Sequence, residues 1–316
     1  MKKICVTGAN GFIGKSLCKT LLSLNKTVRG FVRSLNTNTD PPEIELISIG
    51  NISSKTNWKD QIRGYDCIVH CAGQVHFIKD KIDLETYHLV NSEGTKRLAE
   101  QAVEAGVKRL VFLSTVKVNG ESTVRAENFR IFTHKDKPDP QDPYSRSKFE
   151  AENALWEIAS KTNLEVVVVR LPLVYGYNVE GNLKRLMKLI NFGLPLPFSL
   201  IKNKRSLICI DNLVDVLICC IEHPKAKGNT FLVSDDEDLS TPDLLRFLAS
   251  EMKISLCLFP FPISMLKILG FITGNSNEIN RLVGSLQLDI SYTKKTLNWF
   301  PPVTLRDGIK KMVNGR

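Results

Sequence analysis

The sequence predicts an α/β fold, a doubly wound parallel sheet with a smaller C-terminal substrate domain. Three observations predict it. Through the first 170 residues, short β-branched runs alternate with longer stretches of helical periodicity. A glycine-rich turn joins the first run to the first helical stretch. After Leu171 the rhythm breaks at Pro172, Gly176, Gly181, Gly193, Pro195 and Pro197.

The strands are expected at 3–7, 27–32, 45–49, 67–71, 110–114 and 165–170, and the crossover helices at 14–24, 84–105 and 144–160. Strands alternating with helices require a parallel sheet covered on both faces. Residues 1–170 are assigned to dinucleotide binding, with 206–225 returning to that unit, and 171–316 mainly to a second, substrate-binding unit. The acidic stretch 235–238 reads as a solvated turn. The apolar stretch 256–272 is interrupted by Pro260, Pro262 and Lys267 and is shorter than a membrane span. It is expected to be a buried cover over a substrate cleft, with membrane contact left open.

The 316 residues are 43% hydrophobic and 24% charged, enough for one large core or two unequal ones. A net charge of +10 favours an anionic partner. The basic residues are scattered, without a zinc finger, a Lys/Arg block or an aromatic RNA-binding box, so nucleic acid is not the expected partner. A diphosphate ligand accounts for the sign. Cys5, Cys67, Cys71, Cys209, Cys219 and Cys220 lie in apolar runs without metal-ligand spacing, so they are expected to be buried, reduced thiols, with no metal site. Met1-Lys2-Lys3 passes directly into an apolar strand, leaving no room for a signal-peptide core; a cytoplasmic location and no transmembrane segment are expected.

Thr7-Gly8-Ala9-Asn10-Gly11-Phe12-Ile13-Gly14 places Gly8, Gly11 and Gly14 where a pyrophosphate meets a helix N-terminus, with Phe12 and Ile13 on the same turn. Orphan N–H groups and the helix dipole favour an anion there. With strand, helix and second strand in place within thirty residues, this is a Rossmann-type dinucleotide site. The second strand carries no carboxylate at its end. It offers Arg33 instead, which suits a 2′-phosphate, so NADP(H) is favoured over NAD(H).

Tyr144 and Lys148 stand four residues apart at the start of a helical stretch and share one face. The ammonium is expected to lower the phenol's pKa, letting Tyr144 exchange a proton with an alcohol oxygen as hydride moves at the same carbon. Thr115, ending the preceding strand with Ser114, offers a hydroxyl to the same oxygen.

Together these motifs resemble the extended short-chain dehydrogenase/reductase family, the NAD-dependent epimerases and dehydratases of nucleotide sugars. His70-Cys71-Ala72-Gly73, Asn91-Ser92-Glu93-Gly94-Thr95 and Arg170-Leu171-Pro172-Leu173-Val174-Tyr175-Gly176 extend the resemblance along the chain. It implies cofactor contacts at Cys71, Ala72, Asn91, Tyr144 and Lys148. It implies a UDP-sugar substrate, contacted by Thr115, Asn182 and Arg205, and a homodimer through the helices at 84–105 and 144–160. Dehydratases of the family carry Asp-Glu after the active hydroxyl; Val116-Lys117 stands here, which disfavours dehydration. The stretch 114–121, with 193–197 and Arg205-Ser206-Leu207, is most similar to 4-reductases that make UDP-N-acetylquinovosamine from a UDP-4-keto-6-deoxy-N-acetylhexosamine for surface polysaccharide such as O-antigen or capsule. The alternatives are a UDP-hexose 4-epimerase acting on UDP-glucose or UDP-N-acetylglucosamine and, from another class, a non-catalytic nucleotide-binding sensor. Asn119 and Gly73 depart from the family's frequent tyrosine and alanine.

Overall fold

The computed structural model describes residues 2–35, 44–75, 84–125 and 128–315. From the N-terminus, β1 (Lys3–Thr7) leads into α1 (Phe12–Ser23), then β2 (Thr27–Val32), β3 (Glu45–Ser48), the single turn α2 (Lys59–Ile62) and β4 (Cys67–His70). The next crossover starts as α3 (Leu84–Tyr87), widens into a π-helical segment at His88–Glu93 and continues as α4 (Gly94–Glu104) into β5 (Arg109–Thr115). A 3-10 turn (Val116–Val118) and the ribbon of β6 (Val124–Arg125) and β7 (Asn128–Phe129) precede α5 (Pro143–Lys161) and β8 (Glu165–Leu171). The remainder runs β9 (Leu173–Tyr175), α6 (Asn182–Asn191), β10 (Arg205–Cys209), α7 (Ile210–Glu222), β11 (Asn229–Leu232), β12 (Asp238–Leu239) and α8 (Thr241–Glu251). It ends with α9 (Ile263–Ile272), α10 (Ser276–Val283), α11 (Ser291–Leu297) and α12 (Leu305–Asn314).

Seven strands form one parallel sheet in the order β11-β8-β5-β4-β1-β2-β3. Alternate residues of each strand enter different cores, as the two-residue strand period requires. Ile4, Val6, Val69, Val111 and Val167 pack in the core that holds Leu17 of α1 and Leu213 of α7. Cys5, Ile68, Leu110, Phe112 and Val168 pack in the one that holds Leu98 of α4 and Leu155 of α5. Both faces are covered, which is why these strands read as apolar runs.

The second sheet has three strands, β12-β10-β9. Within 206–225, α7 packs on α1 and β5. The strand at 205–209 does not rejoin the large sheet; it pairs parallel with β9 and antiparallel with β12. The strand that does rejoin, β11, pairs with β8. The acidic stretch is only partly solvated. Asp235 is buried and accepts from the Cys209 N–H at 2.9 Å, Asn212 Nδ2 at 2.7 Å and the Tyr175 hydroxyl at 2.7 Å. The apolar stretch 256–272 is not a buried cover either: α9 buries Leu266 and Gly270 and exposes most of the rest. Among the described residues no helix is long and apolar enough to cross a membrane.

Candidate active site

The glycines of the first turn are needed for close approach of backbone to backbone. Gly8 has φ +66°, and a Cβ there would sit 3.0 Å from the Ala72 nitrogen. A Cβ on Gly14 would fall 2.1 Å from the Gly8 carbonyl oxygen. Gly11 caps α1 without a side-chain hydrogen bond, and the Lys15 N–H reaches the Gly11 carbonyl at 2.9 Å. The N–H groups of Phe12, Ile13 and Gly14 precede the first helical bond and point out of the helix end. This end lies beside β1, where the strand order reverses between β2 and β4, the crevice in which parallel sheets hold nucleotides. Cys71 and Ala72 leave β4 against Gly8, so the residues present fit a dinucleotide pyrophosphate. Gly14→Ala is expected to destabilise the fold by about 1–3 kcal/mol through overpacking and to weaken dinucleotide binding, checked by urea unfolding and calorimetric titration.

At the end of β2, Arg33 is exposed, and its carbonyl accepts from Ser48 Oγ and the Gly50 N–H, both at 3.1 Å. Arg29 is the other arginine of this strand region, and its guanidinium is paired with Glu45 at 2.9 Å. Among the described residues, Arg33 forms no ion pair with a carboxylate.

Between β1 and β4 runs a hydrogen-bond relay that the sequence motifs did not signal. Thr95 Oγ1 donates to the Asn91 carbonyl at 2.6 Å and so accepts from His70 Nε2 at 3.0 Å. His70 Nδ1 must then accept from Thr7 Oγ1 at 2.7 Å, leaving Thr7 to accept the Ala72 N–H at 3.1 Å. Burial pushes the His70 pKa down to about 3, with the Lys148 charge adding to it, so the imidazole is neutral. The relay fixes the end of β4 relative to the glycine turn.

The catalytic candidates are set by the start of α5. Asp142 accepts the Ser145 N–H at 2.6 Å in a capping box, and Pro143 occupies the first turn. Tyr144 is thereby held partly exposed at the helix mouth, its ring edge-on to Tyr87 at 6.2 Å. One turn on, Lys148 is buried; its Nζ donates to the Leu113 carbonyl at 2.9 Å and lies 4.6 Å from the Phe112 ring centroid. A Cβ on Gly73 would stand 3.1 Å from that Nζ, so glycine leaves the lysine more room than alanine would. Asn91, within the π-helical segment, donates to Ser147 Oγ and to the Gln74 carbonyl, each at 3.0 Å, and so ties α5 to the chain after β4. Such π segments recur at functional sites because the extra residue redirects side chains.

The expected lowering of the phenol's pKa is not what the structure has. Burial pushes Tyr144 up, and Asp142 and Tyr87 push it further, while the Lys148 ammonium points its Nζ to the Leu113 carbonyl. Lys148 itself is brought down to about 8 from 10.5 by burial. The unfolded chain therefore holds a proton between about pH 8 and pH 10.5 that the folded chain lacks, and this group's contribution to stability rises with pH across that window. Urea unfolding of wild type and Lys148→Met from pH 7 to 10 should show the wild type gaining on the variant; a constant difference contradicts the assignment.

Ser114 and Thr115 divide their roles. Ser114 Oγ donates to Glu152 Oε1 at 2.5 Å, whereas Thr115 ends β5 with its hydroxyl accepting the Lys117 N–H at 3.3 Å. Behind them lies a buried network: Glu152 pairs with Arg170 at 2.6 Å, and Arg170 Nη1 donates to Asn119 Oδ1 at 2.9 Å. Asn119 thus anchors the 3-10 turn after Thr115. The sequence reading missed Glu152, although a carboxylate at the third step of the Tyr144, Lys148, Glu152 spacing, beside Ala151 and Leu155, signals a buried charge. At the dehydratase position, Val116 is buried and Lys117 pairs with Asp142 and Glu121, so no acid and base stand there.

Asn182 opens α6 after Gly181, whose φ of +78° turns the chain. Arg205 is half-buried; its Nη1 donates to the Arg281 carbonyl at 2.9 Å and the Gly284 carbonyl at 3.2 Å, so part of its guanidinium closes the C-terminal end of α10. Burial and Arg281 push its pKa down to about 10, which leaves it charged at neutral pH.

Comparison with known proteins identifies relatives of the chain. Over 314 residues the chain is 42% identical to a UDP-glucose 4-epimerase of Vibrio cholerae, covering 98% of this chain and 94% of that one. It is 24% identical over 328 residues to the N-acetyl-alpha-D-glucosaminyl-diphospho-ditrans,octacis-undecaprenol 4-epimerase of Escherichia coli O157:H7, covering 98% and 93%. The fold superposes on the UDP-glucuronic acid 4-epimerase of Bacillus cereus in complex with NAD with a TM-score of 0.79 at 21% identity, covering 99% and 97%. Residues 4–234 match the family described as NAD dependent epimerase/dehydratase, and the chain belongs to that family.

Proposed function

We propose that the protein inverts C4 of a UDP-hexose of the glucose or N-acetylglucosamine class, oxidising the carbinol and reducing the resulting ketone from the other face. The observation that carries this reading is the 42% identity, over nearly the full length of both chains, to a UDP-glucose 4-epimerase. It reverses the order in which the sequence ranked the two chemistries. The E. coli relative, named for C4 inversion of another diphosphate-linked sugar, supports it.

A bound nicotinamide would supply the hydride acceptor and donor. Residues 1–170 would hold it, through Gly8, Gly11, Phe12, Ile13 and Gly14 at the pyrophosphate and Cys71, Ala72 and Asn91 beyond. Residues 171–316 would grip the nucleotide sugar, with Asn182 and the free guanidinium nitrogens of Arg205 toward the uridine diphosphate. That remote grip orients C4. Tyr144 would enter as the phenolate, a form that positive charge beside it must favour against burial, take the proton of the C4 hydroxyl on oxidation and return it on reduction. Lys148, anchored on the same helix face, opposes the charge left on the phenolate, and Thr115 shares the oxygen.

Arg33 favours a second reading: a 4-reductase of a UDP-4-keto-6-deoxy-N-acetylhexosamine drawing on NADPH. The test is incubation with UDP-glucose or UDP-N-acetylglucosamine and catalytic NAD, followed by proton NMR. Appearance of the 4-epimer without net change in nicotinamide absorbance supports inversion. Stoichiometric NADPH oxidation by the 4-keto sugar, with no inversion, transfers the assignment to the reductase; failure of both points to a binding protein.

A further inference from the structure

Among the described residues, no element covers the apolar outward face of α9. Met265, Ile268, Leu269 and Ile272 stand at i, i+3, i+4 and i+7 on the outward face, beside Phe271; Phe271 is 80% exposed and Ile272 72%. The inward face is closed, because Gly270 packs so near α10 that a Cβ would come within 2.8 Å of Ile279 Cγ1. The patch continues onto a second segment. The Leu196 N–H donates to the Cys257 carbonyl at 2.9 Å and the Phe259 N–H to the Leu196 carbonyl at 3.0 Å, which ties the segment that carries exposed Phe192 and Leu194 to the strand-like approach to α9.

Cations rim this surface. α9 carries no carboxylate and exposes Lys267. α6 adds Lys188 and Arg185, the latter reaching α10 through Glu278 at 3.7 Å, and Lys204 joins the end of α10 through the Leu286 N–H. Among the described residues, Lys188, Lys204 and Lys267 are exposed and form no ion pair with a carboxylate.

We propose that α9 and the 192–194 loop form a docking surface for an anionic lipid bilayer, on which the protein lies peripherally. Ten residues of helix span about 15 Å, half of a ~30 Å hydrocarbon core, so α9 lies in the interface and does not cross it. An apolar face with lysines at its rim matches that position, because the side chains enter the acyl boundary while the ammonium groups meet phosphates. A second copy of the chain is the poorer occupant: it would set this cationic rim against itself in a protein of net charge +10. The inference does not depend on which sugar is turned over.

The test is sedimentation of the full chain with phosphatidylcholine vesicles and with vesicles half phosphatidylglycerol. The wild type should sediment with the anionic vesicles, less so as salt rises, and weakly with the neutral ones. Ile268→Asp/Phe271→Asp should lower binding to anionic vesicles by about tenfold or more. Lys188→Glu/Lys267→Glu should lower the same binding by a similar factor and leave the neutral vesicles unchanged. These positions are exposed, so thermal midpoint and turnover should hold in both variants. Absence of wild-type binding to anionic vesicles, or unchanged binding by either variant, overturns the proposal. So does velocity sedimentation in which the wild type self-associates through this face and Ile268→Asp/Phe271→Asp makes it a monomer.

Discussion

Tyr144→Phe should lower kcat by about 10²–10⁴-fold while leaving dinucleotide affinity within about twofold. The ring, its edge-on contact with Tyr87 and the capped start of α5 all survive the change. Only the oxygen that exchanges a proton with the sugar is lost. Turnover number and calorimetric titration of NAD measure the two halves separately. A fall in both together would mean that Tyr144 holds the cofactor more than it moves a proton.

The largest expected effect on stability belongs to Arg170→Met. Arg170 and Glu152 are both buried and joined by two hydrogen bonds, at 3.0 and 2.6 Å, and Arg170 also supports Asn119. Removing the guanidinium leaves a carboxylate buried without its partner, at a cost of about 3–5 kcal/mol. Glu152→Gln combined with Arg170→Met should recover much of the loss, because the buried charge is gone while Gln can still accept from Ser114. The single variant should also lower kcat, as the network sets the 3-10 turn that follows Thr115. Urea midpoints of the two variants decide the point: a cost for the single change below about 1 kcal/mol would mean the pair is solvated.

Much of the first half was legible in the sequence because its signals are local. The glycine turn, the β-branched runs and the four-residue spacing of Tyr144 and Lys148 each depend on residues close in the chain, and they appear where expected. The pairing of distant segments was less legible. The strand at 205–209 looks like a return to the sheet, yet its partners are Leu173–Tyr175 and Asp238–Leu239, and nothing within 205–209 encodes that choice. Asp235 lies in an acidic run that reads as solvated, but Tyr175, Cys209 and Asn212 converge on it only through the fold. The apolar stretch at 256–272 was misjudged for a related reason. Hydrophobicity reports that a surface avoids water, without saying whether protein or lipid covers it. Within the site, the pKa argument for Tyr144 failed because the spacing gives the proximity of a cation and says nothing of the burial of the phenol or of Asp142 and Tyr87 beside it, which push the pKa up.

In C4 inversion, hydride leaves and returns to sugar C4 within one active site. Its most direct measurement follows UDP-glucose deuterated at C4 through turnover with catalytic NAD, analysed by mass spectrometry and NMR. The inverted product should keep its deuterium at C4, with none released to solvent and none accumulating in free nicotinamide. Inversion accompanied by exchange of the C4 label with water, or no inversion of either UDP-hexose under conditions where the cofactor binds, would contradict it.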